Sequence, residues 1–238
     1  MRLGIGSYTY PWAIGVPGHP PSCPMRAIDL VERAAALGVR VVQIADNLPL
    51  HELSGSEMAD LRDLADRLGI SIQVGTRGIE PDHLSAYLRL AQRFHSPILR
   101  VVVDTAQQQP TEAEIVESIG ALVPELERAG VALAIENHDR FAVRALVGML
   151  ERIDSDRVGI CLDTVNSFGA LEGPEVVLDT LGPWVVNLHV KDFCIARASH
   201  KMGFTVEGCP AGRGRLDVVQ LLDRLRDLGR DPDAILEL

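Results

Sequence analysis

The chain has 238 residues, 47% of them hydrophobic, which is enough for one full-sized core and short for two, so residues 1–238 are expected to form one domain. With 33 acidic against 23 basic residues, the formal charge of −10 repels a phosphodiester backbone and argues against nucleic acid as a partner. The opening MRLGIGSYTYPW lacks the basic-then-apolar order of a secretory leader, and no run approaches the roughly 18–20 apolar residues that span a bilayer, so a soluble, cytoplasmic protein is expected.

In chain order, short apolar runs predict strands at 3–8, 41–45, 71–75, 98–103, 132–136, 158–163, 185–191 and 234–237. Amphipathic stretches between them predict helices at 27–37, 55–68, 80–94, 112–129, 143–152, 174–181 and 216–228. Gly38, Gly69, Gly130 and Gly229 each follow a helical stretch and precede a strand, as residues that leave a helix through the left-handed region do. Eight strands alternating with seven helices predict an α/β fold, a (β/α)8 barrel. An open doubly wound sheet would carry a glycine-rich phosphate turn after its first strand, where this chain has SYTYPW. A helix after the eighth strand is absent from this sequence, as a trimmed chain or a different cover for that face would leave it.

The four cysteines, Cys23, Cys161, Cys194 and Cys209, have neither zinc-site spacing nor the density of a disulfide scaffold, so reduced thiols are expected. Cys161 lies within an apolar strand and reads as a packed core residue.

Barrel chemistry sits at the carboxyl ends of the strands. Glu136 ends LAIE on the fifth predicted strand, Asp163 ends GICLD on the sixth, His189 lies in VVNLHV on the seventh and Glu237 ends AILE on the eighth. Each alone reads equally well as a helix cap or a satisfied core histidine. Together, three carboxylates and one imidazole make a mixed oxygen and nitrogen set suited to one divalent ion, Mn²⁺, Mg²⁺, Co²⁺ or Zn²⁺, with positions left for substrate oxygens.

IENHDRF at 135–141, CLDTVN at 161–166, NLHVKDF at 187–193, PAGRGRLD at 210–217 and ILEL at 235–238 follow one another in an order that resembles the xylose isomerase-like TIM barrels, including sugar phosphate isomerases and epimerases and ketose 3-epimerases. The resemblance implies that Glu136, Asp163, His189 and Glu237 match the metal ligands, with Glu136 and Glu237 as an acid/base pair on opposite faces of the substrate. One departure stands out: epimerases of the family often carry histidine three residues after the sixth-strand aspartate, where this chain has Asn166. Asn166 donates a hydrogen bond but does not change charge near neutral pH.

Other candidates carry two readings each. Lys191 shares the face of His189 if the strand reaches it, and either binds a substrate carboxylate or phosphate or makes a rim salt bridge. His138 has the parity of Glu136 and either lines the mouth or lies on the surface. Arg100, inside the fourth strand, either binds substrate or pairs with an interior acid. Tyr8 and Trp12, with Tyr10, form either an aromatic wall for a sugar face or a self-packed loop. Gln43, with Asp46 and Asn47, either hydrogen-bonds substrate hydroxyls or belongs to an ordinary turn. The GRG at 212–214 reads as the loop before a helix cap at Asp217 rather than a phosphate cradle.

The function expected first is a metal-dependent isomerase or epimerase of a small sugar or sugar phosphate acting through an enediolate. A lyase that removes CO₂ or water from a 3-oxo sugar acid or keto-polyol uses the same charge stabilisation and comes second. An apurinic endonuclease would need histidines that QVGTRG and VVVDT lack, and a non-catalytic binding barrel is the remaining alternative. The expected partner is a small carbohydrate-like molecule, with homo-oligomerisation a family-level expectation.

Overall fold

The computed structural model describes residues 1–237, so the last position of the ILEL motif lies outside the described residues. Eight parallel strands close into a barrel: β1 (Leu3–Gly6), β2 (Val41–Ile44), β3 (Ser71–Arg77), β4 (Ile98–Val102), β5 (Ala132–Glu136), β6 (Val158–Asp163), β7 (Val185–Val190) and, after an antiparallel pair β8 (Asp192–Arg197) and β9 (Phe204–Cys209), the closing strand β10 (Ala234–Leu236). The helices are a short α1 (Pro11–Ile14), then α2 (Ala27–Leu37), α3 (Gly55–Leu68), α4 (Pro81–Arg93), α5 (Glu112–Ala129), α6 (Val143–Ile153), α7 (Pro174–Leu181) and α8 (Val218–Asp227). β10 pairs with both β7 and β1, which leaves no open edge on the barrel. No helix among the described residues is long and apolar enough to cross a membrane.

Local chemistry sets the helix ends. Ser54 and Thr111 accept from the backbone N–H of Glu57 and Glu114, whose carboxylates reach back to the cap N–H, so α3 and α5 each start with a reciprocal capping box. α3 ends at Gly69 in the left-handed region, φ 63°, where a side chain would be strained.

The predicted strands and helices stand where the sequence places them, with two corrections. β1 stops at Gly6 because Ser7–Thr9 turns into a 3-10 segment, so Tyr8 leaves the barrel wall. The stretch 192–209 is a two-stranded hairpin that the sequence reading passes over. β8 has only the short apolar run 193–196 and β9 has polar residues breaking its pattern, and Ile195, Phe204 and Val206 are exposed.

Outward-facing residues of the barrel strands pack on the helices in one core, among them Val42, Ile44, Val74, Leu99, Leu133, Leu162 and Leu188. Alternation then sends the intervening residues inward. Gln43, Gln73, Arg100, Glu136, Cys161, Asp163, Asn187 and His189 all have inward parity and are buried, so this barrel has a polar interior.

Candidate metal centre

The register brings the four strand-end candidates together. Asp163 lies opposite His189 across β6 and β7, and Glu136 opposite Cys161 across β5 and β6. His189 Nδ1 lies 3.3 Å from Glu136 Oε2, 3.9 Å from Asp163 Oδ2 and 3.4 Å from Glu237 Oε2. Asp163, His189 and Glu237 each present a ligand atom within 4.8 Å of the others. Gly6, on the strand beside β10, has no side chain where Glu237 turns in; a Cβ there would stand 3.1 Å from its Oε1.

Three of the four candidate ligands are held from behind by hydrogen bonds. Asp163 Oδ1 accepts from the backbone N–H of Val165 and Asn166, both at 2.9 Å, which aims Oδ2 into the cluster. Asn137 fixes the end of β6 by accepting from Asp163 N–H at 2.7 Å and donating to Asp163 O at 2.9 Å. His189 Nε2 lies 2.6 Å from Gln43 Oε1. Arg100 Nε donates to Glu136 Oε2, Asn166 Nδ2 donates to Glu136 Oε1 at 2.8 Å, and Arg100 Nη1 reaches Asp46 Oδ1 at 3.1 Å. Burial pushes the Glu136 carboxyl up, but the charge of Arg100, its largest charged neighbour, with that of Lys191 more than reverses this and holds it below the ordinary carboxylate range.

Two ligand atoms have no hydrogen bond among the described residues, His189 Nδ1 and Asp163 Oδ2, and both are buried. Asp163 Oδ2 has Lys191 Nζ at 2.7 Å, an ion pair without hydrogen-bond alignment, and the same Nζ lies 3.3 Å from Glu237 Oε2. Burial lowers the Lys191 pKa, and Asp163 and Glu237 more than reverse that, so it stays a cation. Lys191 and Arg100, the latter shared with Asp46, against three converging carboxylates leave buried negative charge in excess, which is costly, and a proton on Nδ1 would offset one charge. A divalent cation would offset two while bonding all four side chains, so the residues fit one. Cys161 also lies close to Glu136 and His189, but its thiol donates to Asn187 Oδ1 at 3.2 Å, and burial, with Glu136 nearby, holds it protonated.

The model of the xylose isomerase-like TIM barrel family matches residues 31–238. The chain belongs to that family. It is 34% identical over 237 residues to 3-oxo-isoapionate decarboxylase from Pectobacterium atrosepticum, spanning 100% of this chain and 85% of that protein. D-psicose 3-epimerase from Clostridium cellulolyticum H10, solved with D-tagatose, is similar with a TM-score of 0.77 and 18% identity, covering 100% of this chain and 84% of that one. A xylose isomerase-like TIM barrel protein from Mycobacterium smegmatis in complex with magnesium gives a TM-score of 0.75 at 16% identity, covering 99% and 89% of the two chains. At these identities the two solved structures bear on the fold alone.

The remaining predicted residues of this family member divide by position. Lys191, Asn166 and Arg100 are at the cluster, and Lys191 Nζ donates to Asn166 Oδ1 at 3.3 Å. Tyr8 donates to Asp46 Oδ2 at 3.0 Å with the Arg100 guanidinium 5.9 Å from its ring; burial and Asp46 push its hydroxyl up to about 12. Gln43, read as a hydroxyl binder, is fully buried beneath His189 and spends its amide on interior groups. Trp12 is 65% exposed on α1 with its edge toward His19, and His138 pairs with Asp139 at 3.5 Å. Among the described residues neither makes a hydrogen bond or ion pair with Glu136, Asp163, His189 or Glu237. The sequence reading passes over Gln73, Asn137 and Asn187; the available signal is a lone polar residue at inward parity in SIQV and VVNL. The GRG loop is a loop: Gly212 and Gly214 N–H donate to Asp192 Oδ2 at 2.9 and 2.8 Å, and Asp217 caps α8.

Proposed function

We propose that this protein is a divalent-cation-dependent lyase that removes CO₂ from a small 3-oxo sugar acid. The observation that carries the choice is the state of Glu136. Both its oxygens accept hydrogen bonds, from Arg100 and from Asn166, and although burial raises its carboxyl, the Arg100 charge more than reverses that and lowers it below the ordinary carboxylate range. Epimerisation needs two groups that trade a proton on opposite faces of one carbon, and a carboxylate held that low is a weak base near neutral pH. Decarboxylation needs no base. The carboxylate's C–C bond breaks, its electron pair moves into the neighbouring carbonyl to give an enolate, and the carbon left behind takes one proton.

A cation bound by Glu136, Asp163, His189 and Glu237 would supply positive charge beside the oxygen where the enolate charge gathers. Lys191, 18% exposed at its side chain, adds a fixed cation at the cluster's open side that favours an anionic substrate. Glu237 accepts no hydrogen bond among the described residues and has Lys191 Nζ at 3.3 Å, so it is the carboxyl free to carry the proton to carbon. The likeness to 3-oxo-isoapionate decarboxylase over the whole chain supports the same class. The epimerase reading shares these four residues and differs in needing Glu136 as a second base, whereas an isomerase that moves a proton between adjacent carbons on one face needs only Glu237.

The test is proton NMR in D₂O with cation-loaded protein, offered 3-oxo-isoapionate, ketoses and ketose phosphates, each with a chelator control. Chelator-sensitive loss of CO₂ with one deuterium left on the product supports the lyase. Deuterium entering an intact ketose skeleton replaces it with the epimerase or isomerase reading.

A further inference from the structure

The polar groups inside the barrel form a chain whose direction is fixed at its lower end. Asp233 is held by Arg2 through Nε at 2.9 Å and Nη2 at 2.7 Å, and as a paired carboxylate it only accepts. Gln73 donates its amide Nε2 to Asp233 Oδ2 at 2.9 Å, which turns its carbonyl toward the barrel axis. That Oε1 accepts from Gln43 Nε2 at 3.1 Å and from Asn187 Nδ2 at 3.2 Å. The other proton of Gln43 Nε2 goes to Asn187 Oδ1 at 2.9 Å. With both amide protons used, Gln43 faces His189 with its oxygen, 2.6 Å from Nε2. An amide oxygen in that position requires a donor, so Nε2 carries the hydrogen.

Reversing any amide would set acceptor against acceptor in a fully buried interior, because Gln43, Asn187 and His189 are 0% exposed and Gln73 is 1% exposed. The direction set by Asp233 therefore passes through two glutamines to the imidazole.

We infer that Gln43 and Gln73 are positioning residues: the chain Asp233–Gln73–Gln43 holds His189 with its hydrogen on Nε2 and so makes Nδ1 the nitrogen offered to Glu136, Asp163 and Glu237. A ligating imidazole commonly has its tautomer and ring plane set by such a partner, and loss of the partner typically weakens metal binding by about 10–100-fold. The orientation stands on hydrogen bonding alone; its use rests on the cation reading proposed above.

Two measurements separate them. In histidine-labelled protein without added metal, ¹⁵N NMR is expected to show a slowly exchanging Nε2–H for His189, which Gln43→Met exposes to exchange. A hydrogen on Nδ1 with bare Nε2 in the parent protein would overturn the inference. Titration calorimetry with Mn²⁺ is expected to show Gln43→Met binding about 10–100-fold more weakly than the parent. Gln73→Met, which does not touch His189, is expected to shift affinity in the same direction by a smaller factor, with Asp163→Asn as the ligand-loss reference. Parent-like affinity in a folded Gln43→Met overturns the positioning role while leaving the cation site intact. A parent protein that binds no divalent ion, yet shows the protected Nε2–H, overturns the cation reading and upholds the chain.

Discussion

Arg100 on β4 donates to Glu136 on β5, and the two side chains are 3% and 1% exposed. The guanidinium also reaches Asp46, which Arg77 Nε contacts at 3.0 Å, so one buried cation spans two carboxylates. Burial and these partners act in opposite directions on Arg100, and the carboxylates win, raising its pKa. Removing one member of such a pair leaves a buried charge without a partner, at a cost of about 3–5 kcal/mol. Arg100→Met is expected to lower the unfolding free energy measured by urea titration by that amount in the metal-free protein, with a matching fall in the midpoint. Arg100→Lys, which keeps charge but not the fork, should fall between. A midpoint unchanged in Arg100→Met would show that Glu136 is not held by this residue.

Lys191 places its ammonium where a cation bound by Asp163 and Glu237 would act, 2.7 and 3.3 Å from their oxygens. The two positive charges compete for the same carboxylates. Lys191→Gln is expected to destabilise the metal-free protein by the lower end of the ~3–5 kcal/mol range, because the side chain is partly exposed. The same change should tighten Mn²⁺ binding measured by calorimetry while reducing turnover of an anionic substrate. Weaker Mn²⁺ binding would mean that Lys191 supports the ligands instead of competing with the cation.

A ligand that binds only the folded state stabilises it by mass action, by about 2.7 kcal/mol at a concentration a hundredfold above its Kd. For a chain of this size each kcal/mol moves Tm by about 2–4 °C. Saturating Mn²⁺ or Mg²⁺ is therefore expected to raise Tm by several degrees in scanning calorimetry, reversibly with chelator. In Asp163→Asn, which loses a ligand oxygen charge, the rise should vanish. An equal rise in that variant would place the ion elsewhere.

The strand-end cluster was legible because barrel geometry gives a rule that one sequence can satisfy: polar residues closing apolar runs face one mouth. Glu136, Asp163 and His189 obey it within their strands, and Glu237 follows directly on β10. Lys191 followed from parity alone. The role of Gln43 was not legible, since the reading needed Asn187, 144 residues away, and Gln73, 30 away, to show that its amide is consumed inside. The hairpin formed by β8 and β9 escaped for another reason. Its antiparallel pairing is local, but a four-residue FCIA run facing the polar-interrupted FTVEGC over an exposed ribbon gives neither a sustained buried-strand signal nor a helical one.

Asp192 ties that hairpin to the loop before α8. Its Oδ2 accepts from Gly212 and Gly214 N–H, and its Oδ1 from Phe193 and Leu216 N–H at 2.8 and 2.9 Å. Burial raises the carboxyl's pKa, and the four backbone donors outweigh it, so the folded value lies below the ordinary one. A depressed carboxyl contributes stability that is present above its unfolded pKa, about 3.9, and is lost as pH falls through the folded value. The amide resonances of Gly212, Gly214 and Leu216 are therefore expected to titrate together, with a midpoint below about 3.9. Near neutral pH, Asp192→Ala should remove their protection from hydrogen exchange while leaving that of β1 to β7 in place. A shared midpoint at or above the ordinary aspartate value, or unchanged protection in Asp192→Ala, would show that the loop is held by something other than this carboxylate.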